Sequence, residues 1–379
     1  MLRFSEYNHI IMNVFLYFRR KLCYHISIKS EWTEYMKKKV LLGLSGGVDS
    51  AVSAALLKAG GYEVTGCCLR LSEGGGENSP ELHSARNAAE RLGIELVFAD
   101  YRELFRHEVE EYFAREYFAG RTPNPCIRCN PTVKFRALCA EADKISADFI
   151  ATGHYAKVRR SENGRTRLCA SPSKKDQSYF LYRLTGEQLD RVIFPLGDFI
   201  SKEQVREKGL ELGLMAAKRS DSQEICFIPD GDYSRYICEK HGYTPKKGNF
   251  IDIHGNIIGT HEGIIHYTAG QRKGLGAFGE PMYVKSVSAA DNTVMLCRKN
   301  ERMTDSVHIS DCVFSPECPQ GSFCGEVKVR NTAAAVSAEI RRFENGAEIK
   351  FSSPVIAPSP GQSAVIYSGG VVEGGGIVI

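Results

Sequence analysis

The stretch KVLLGLSGGVDSAVSAALLKAGG, residues 39–61, joins a short apolar run to a helical pattern through a glycine turn. Val40 to Leu44 reads as a buried strand, because it is brief, unbroken and bounded by glycine. Val52, Ala55 and Leu56 then fall at helical spacing, and Gly60 and Gly61 supply the stop signal. Between strand and helix, Gly43 to Ser50 (Gly43, Leu44, Ser45, Gly46, Gly47, Val48, Asp49, Ser50) sits where anions bind, at the mouth of a helix that follows a strand. Gly46 and Gly47 let the backbone come close to a charged ligand, while Ser45, Ser50 and the amides of the helix start can donate to phosphate. It is not a Walker A loop, since no Gly-Lys-Ser/Thr follows, and it lacks the spacing of a dinucleotide fingerprint.

Strands and helices continue to alternate after it. YEVTGCCLRL reads as a second strand, Glu81 to Leu92 as a helix and IELVFAD as a third strand. A long helix near Tyr101 to Phe118, a helix from Val133 to Lys144 and the strand ADFIATGH follow. This alternation predicts an α/β fold with a doubly wound parallel sheet, whose ligand site lies beyond the carboxyl ends of the strands. Asn163-Gly164 signals a hairpin, and Lys202 to Leu212 a further helix. From about Pro281, short runs of Val, Ile, Phe and Tyr bounded by turns predict a C-terminal antiparallel β-barrel. The expected division is an extension over 1–36, a catalytic domain over 37–217, a small mixed central domain over 218–280 and the barrel over 281–379.

With 379 residues, 43% of them hydrophobic and 25% charged, the chain is of the globular class. Its net charge of +4 requires any nucleic-acid contact to come from local basic patches. Thirteen cysteines spread through so long a chain, without a secretory signal, point to free thiols in the reducing cytoplasm. In residues 1–35, Arg19, Arg20 and Lys21 interrupt the apolar run short of membrane-spanning length, so no membrane partner is expected. Met36 stands directly before the first strand signal and reads as the natural start.

A second stretch, TPNPCIRCN (Thr122 to Asn130), places Cys126 and Cys129 in a Cys-x-x-Cys pair behind two prolines. Such a pair can be half a zinc site, a redox dithiol, a corner of an iron–sulfur cluster, or a nucleophile beside a bystander. Spacing alone leaves these alternatives open. The prolines hold Thr122 and Asn124 in extended backbone and stiffen the loop.

The Ser-Gly-Gly-x-Asp-Ser string resembles the loop of the PP-loop ATP pyrophosphatases, of adenine nucleotide α-hydrolase-like fold. That resemblance implies ATP with Mg²⁺ as cofactors, with Asp49 helping to hold the metal, and adenylation as the activating step. Reading on, TPNPCIRCN with VKF, ATGHYA, KKDQSYFLYRL, DSQEICFIPDGDY, YTAGQRKGLG and SPGQSAVIY follow in order. Together they resemble the bacterial tRNA-specific 2-thiouridylase family, over nearly all of Lys37 to Ile379.

The resemblance implies a tRNA-uridine 2-sulfurtransferase that replaces the C2 oxygen of wobble uridine 34 with sulfur, releasing AMP and pyrophosphate. It implies two partners, tRNA and a sulfur-donor protein delivering persulfide. By the same resemblance Cys226 matches the persulfide-carrying cysteine and Cys129 its partner nucleophile, as the catalytic pair. Leu69 and Gly153 match ATP-contacting positions. Asn124, Pro125 and Cys126 match the segment that meets the target base. His154, Lys175, Asp176, Gln177, Arg330, Asn331 and Gln362 match tRNA-contacting positions, although Asn331 replaces an aromatic residue usual in the family. The family often has Asp where Cys126 stands. Two routes therefore stay open: a persulfide–disulfide route, and one in which Cys126, Cys129 and Cys226 ligate a [4Fe–4S] cluster. Rival readings are a PP-loop ligase adenylating a carboxylate, a non-catalytic tRNA-binding protein, and a structural zinc site, which lacks a second ligand pair.

Overall fold

The computed structural model describes residues 38–73, 79–214, 225–228 and 230–379. The expected start at Met36 lies outside the described residues, as do residues 215–224, which precede Cys226. The first part of the chain runs β1 (Lys39–Gly43), α1 (Val48–Ala59), β2 (Glu63–Arg70), α2 (Pro80–Leu92), β3 (Glu95–Asp100) and β4 (Phe149–Ala151). A hairpin, β5 (Lys157–Arg160) and β6 (Thr166–Cys169), and the short β7 (Val192–Ile193) follow. Five of these strands form one parallel sheet in the order β3-β2-β1-β4-β7. Both faces of the sheet are covered: Val40, Leu42 and Leu44 enter one hydrophobic cluster, and Leu41 enters the other. A short unbroken apolar run is what such two-sided burial requires.

The helix expected from Val133 begins eight residues earlier, at Pro125. It runs through Pro125–Cys129, a π-helical turn over Asn130–Lys134, and Phe135–Lys144. Asn124 caps it, its side chain accepting from the Cys126 amide at 3.2 Å, and Pro125 takes the first helical position, where a missing N–H costs nothing. The Cys-x-x-Cys pair is therefore on a helix, not in the stiff loop its prolines suggest.

Beyond α3 (Lys202–Glu211) and α4 (Tyr233–His241), a four-stranded sheet joins β8 (Gly248–Ile251), β9 (Ile257–His261), β10 (Tyr283–Ser288) and β11 (Thr293–Cys297) in the order β10-β11-β8-β9. The strands after Pro281 thus pair backward, with residues 248–261. The barrel proper starts with β12 (Met303–Phe314) and continues through β13 (Ser322–Lys328), β14 (Val336–Phe343), β15 (Gly346–Ile356), β16 (Ser363–Ser368) and β17 (Val371–Val378). Its order is β12-β15-β14-β13-β16-β17, closed by pairing of β17 with β12, and β6 adds to β17 through Cys169 and Val371. A division of the chain by strand pairing falls between Cys297 and Met303. Sequence periodicity could not show this, because a strand does not announce which sheet it joins.

The barrel grips the catalytic domain through Ser359 to Gln362. Gln362 Nε2 donates to Thr122 O at 2.7 Å, the Thr122 amide donates to Pro360 O at 2.8 Å, and Ser359 Oγ donates to Ala269 O at 3.1 Å. Gly361 has φ +91°, and a Cβ there would lie 3.0 Å from the Thr122 backbone. Gly361→Ala should therefore destabilise the protein by about 1–3 kcal/mol. In a thermal melt the loss should exceed that of Gln362→Ala, which removes one hydrogen bond without a clash.

Candidate active site

The glycine loop lies at the carboxyl end of β1, beside the end of β4, where the strand order changes direction. Gly47 is the extended N-cap of α1, and no side chain caps the helix, so its first-turn amides are available to an anion. Ser45 is exposed, and its Oγ lies 3.3 Å from Ser50 Oγ, which donates to Gly47 O at 3.0 Å. Gly43 ends β1, while Leu44 and Val48 are buried and anchor the loop. At Gly46, φ +76°, a Cβ would come within 2.6 Å of Glu81 O. Opposite the loop, a Cβ on Gly153 would meet the Asp49 carbonyl carbon at 2.9 Å and the Ser50 amide nitrogen at 3.0 Å. Glycine at 153 is what lets the end of β4 close onto the loop. Leu69 is half-buried near the end of β2 and packs into the core beneath.

Both carboxylate oxygens of Asp49 are engaged. Tyr155 Oη donates to Oδ1 at 2.8 Å, and Lys202, buried at the first position of α3, forms an ion pair with Oδ2. Asp49 so held does not fit the role of a Mg²⁺ ligand expected from the resemblance. Instead the arrangement brings the Lys202 ammonium to the mouth of the anion loop, a feature that the sequence reading missed. The Lys-x-x-Val pattern at the start of a predicted helix carried no signal of it.

Cys129 and Cys226 come together around a shared hydrophobic cluster. Cys129 is 4% exposed and packs with Phe105, Val109, Phe113, Val133, Phe227 and Ile228. Residues 225–228 form a turn, with the Ile228 amide donating to Ile225 O at 2.8 Å. Phe227 and Ile228 point inward, and Phe227 meets the rings of Phe105 and Phe113 edge-on at 5.4 Å each and that of Tyr236 at 5.5 Å. Cys226 is thereby left exposed, as is Cys126, and all three thiols are free.

Lys134, at the end of the π-turn that follows Cys129, shares its electrostatic environment with Cys126, Cys129 and Cys226. Burial pushes the Cys129 thiol up to about 12, with Lys134 pulling it down and Cys226 and Cys126 adding to the rise. The crowded surroundings of the Cys226 thiol raise it as well, although the side chain reaches solvent, and Lys134 again opposes the rise. Burial works against the Lys134 ammonium, but Cys129, Cys126 and Cys226 outweigh it and raise its pKa. The result is one cation among three thiols, suited to stabilising whichever becomes a thiolate. Lys134 was not singled out in the sequence: in VKF it is one lysine among many. Among the described residues, no three Cys, His, Asp or Glu side chains gather closely enough to hold a single metal ion.

His154 is half-buried next to this cluster. Its Nδ1 lies 2.9 Å from Thr152 Oγ1, its ring is 6.0 Å from that of Phe135, and burial, aided by Lys134, lowers its pKa to about 3. Several of the other residues expected at tRNA contacts make hydrogen bonds within the protein. Asp176 is buried and accepts from the Ser171 amide, Ser178 Oγ and Lys328 Nζ at 2.9, 2.8 and 3.3 Å. Gln177 Oε1 accepts from the Tyr155 amide at 2.9 Å, and Gln362 holds Thr122. Lys175 is exposed. Arg330 and Asn331 follow β13, and Arg330 Nη2 donates to Ala357 O at 3.3 Å, two residues before the Ser359–Gln362 segment. Asn124 and Pro125 form the cap and first residue of the cysteine helix.

Three family models cover the chain: one described as the tRNA methyl transferase HUP domain matches residues 38–230, the tRNA methyl transferase PRC-barrel domain matches 236–298, and the aminomethyltransferase beta-barrel domain matches 304–378. The chain is 44% identical over 357 residues to the tRNA-specific 2-thiouridylase MnmA of Acetivibrio thermocellus, covering 90% of this chain and 99% of that protein. It is 42% identical over 355 residues to the protein of that name in Clostridium perfringens, covering 90% and 98%. The corresponding figures for Clostridioides difficile are 41% over 357 residues, 91% and 99%.

Two outcomes follow from the electrostatics. Lys134→Met should raise the pH at which Cys226 is alkylated and slow its labelling at neutral pH by about tenfold, while Lys134→Arg keeps most of the rate; timed iodoacetamide exposure with peptide mass spectrometry reads this. The folded state holds His154 neutral down to about pH 3, whereas the unfolded chain protonates it near 6.5, so stability falls as the pH drops below about 6.5. Chemical denaturation should show a shallower acid loss for His154→Phe than for the wild type.

Proposed function

The chain belongs to the tRNA-specific 2-thiouridylase MnmA family, and from that membership we propose that it is a tRNA-uridine 2-sulfurtransferase with ATP and tRNA as substrates. The observation that carries the reading is the meeting of Cys129 and Cys226, distant in sequence, beside one cation. A carboxylate-adenylating ligase has no use for such a pair, and a passive RNA-binding protein has none for the loop.

The C2 carbonyl of uridine is amide-like, with no leaving group, so its oxygen must first become a phosphate ester. The first-turn amides of α1 and Ser45 and Ser50 are suited to the polyphosphate, and Lys202 to the charge that grows on departing pyrophosphate. The C2 oxygen attacks the α-phosphorus, the P–O bond to pyrophosphate breaks, and the N3 proton of the base is lost. A persulfide on Cys226, supplied by a sulfur-donor protein, then attacks C2 through its terminal sulfur, and AMP leaves with the original oxygen. The Cys129 thiolate attacks Cys226 Sγ, the S–S bond to the base breaks, and a Cys129–Cys226 disulfide forms as 2-thiouridine is released and N3 regains a proton. The two thiols supply the two electrons that reduce the transferred sulfur. A thiol pushed up to about 12 is protonated at rest, so Cys129 attacks only after losing its proton, a step that Lys134 favours.

This chemistry uses ordinary thiols, and free cysteines throughout the described residues support a place in the reducing cytoplasm. Among those residues no helix is long and apolar enough to cross a membrane. Mg²⁺ accompanies ATP in solution and is held, on this reading, through the phosphates, Asp49 being occupied.

In cells lacking the endogenous enzyme, Cys226→Ser and Cys129→Ser should leave no 2-thiouridine in bulk tRNA by mass spectrometry, while Cys126→Ala retains it. Unchanged 2-thiouridine in Cys226→Ser would overturn the reading, and its loss in Cys126→Ala would overturn the persulfide route. Purified Cys129→Ser should still release pyrophosphate from ATP when tRNA is added.

A further inference from the structure

Sulfur transfer as derived above ends with a Cys129–Cys226 disulfide and leaves a third thiol unused. Cys126 is exposed at the second position of the cysteine helix, and Cys129, three residues on, is buried. Residues three apart on a helix share a face, with Cβ atoms about 5–6 Å from each other, against roughly 3.5–4.5 Å in a disulfide. The first turn can close that gap, because the Cys126 amide donates to the Asn124 side chain at 3.2 Å and not to a carbonyl of a preceding helical turn. The three thiols also share one electrostatic neighbourhood. Cys126 and Cys226 both act on Cys129, Cys126 acts on Cys226, and all three act on Lys134. Lys134 therefore favours the thiolate form of whichever thiol attacks and whichever leaves.

A Cys129–Cys226 disulfide bars Cys226 from taking a second persulfide. Cys129 is packed among Phe105, Val109, Phe113 and Phe227, which keep soluble thiols from its Sγ. Cys126 needs no approach from solvent, and a thiol held in the same helical turn outcompetes a soluble one at millimolar concentration. The leaving group sets the direction of exchange. Attack on Cys129 Sγ expels Cys226, which reaches solvent, whereas attack on Cys226 Sγ expels Cys129, whose thiol burial pushes up to about 12.

We propose that Cys126 is the resolving thiol of the site, which opens the Cys129–Cys226 disulfide and returns Cys226 free for the next persulfide; this rests on the persulfide–disulfide reading above. Cys126 loses its proton and attacks Cys129 Sγ, the Cys126–Cys129 bond forms, the Cys129–Cys226 bond breaks, and Cys226 leaves as a thiolate that takes up a proton. No electrons are gained or lost in this exchange. The two that restore the dithiol come from a soluble dithiol reductant, which attacks the exposed Cys126 Sγ, expels Cys129 and closes its own disulfide. Bulk tRNA in cells keeps its 2-thiouridine without Cys126, because cellular thiols still open the bond slowly at Cys226.

The test follows the three thiols through one turnover of the full-length protein. Cys226 is loaded with persulfide by inorganic polysulfide, the protein is desalted, and ATP and unmodified tRNA are added without reductant. Samples are quenched with iodoacetamide at intervals and mapped by non-reducing peptide mass spectrometry. In the wild type a Cys126–Cys129 link should replace the Cys129–Cys226 link, and Cys226 should become alkylated at a rate independent of added dithiothreitol. Cys126→Ser should lose that recovery: the Cys129–Cys226 link should persist, and Cys226 should reappear only in proportion to dithiothreitol. A wild type that keeps the Cys129–Cys226 link with Cys126 alkylated, or that forms a Cys126–Cys226 link, would overturn the proposal and leave the sulfurtransferase reading intact. Equal recovery in Cys126→Ser would overturn it in the same way. A wild type that makes 2-thiouridine with no disulfide among the three would sink the persulfide–disulfide route and the proposal with it, and one that makes no 2-thiouridine would sink the sulfurtransferase reading itself.

Discussion

Insertion of Phe227 between Phe105, Phe113 and Tyr236 is the contact on which the chemistry depends. Burial of an aromatic ring of this size contributes about 2–3 kcal/mol, enough to fix one short turn against a rigid helix pair. Because neighbouring residues in a tight turn face different ways, burying Phe227 and Ile228 turns Cys226 outward. The same cluster holds Cys129 from the other side. Two thiols distant in the chain thus share one site through an apolar contact, without being joined to each other.

The site is an apolar floor with a charge above it. Burial disfavours the Cys129 thiolate and keeps His154 neutral, so the resting state carries little negative charge. Lys134 is the exception, a cation whose pKa its interaction with the three thiols raises despite its burial. Its place follows from the π-turn, which widens the helix by one residue after Cys129 and carries Lys134 beside the thiols. On the loop side, Lys202 and Tyr155 pin Asp49, so the loop and the thiol helix are both preset before any ligand arrives.

Among the contacts of the barrel with the catalytic part, one segment lies next to the cysteine helix. Ser359 to Gln362 bind Thr122 on one side and Ala269 on the other, so the catalytic helix, the central sheet and the barrel meet at one seam. Gln362 is thereby a fastening in this structure, and Asp176 and Gln177 are likewise internal braces. The tRNA contacts expected of these residues rest on their position within a family motif, and in the structure their side chains also bond within the protein.

Much of the fold was legible in the chain itself. Residues 39–61 determine the first strand, the anion loop and the first helix, because apolar run length, helical spacing and glycine are local properties. The alternation after them determines the parallel sheet, whereas Cys129 and Cys226 are marked as a pair only by the resemblance of their motifs to the family. The start of the cysteine helix was readable too, from Asn124 as cap and Pro125 as first residue, but the prolines suggested a loop. What the tertiary structure alone decided is which distant groups meet: Lys134 among the thiols, Lys202 on Asp49, and the strands after Pro281 with residues 248–261. Each depends on the packing of separate elements, and the energy of such a contact is set by distance and burial in space, which no local pattern of residues carries.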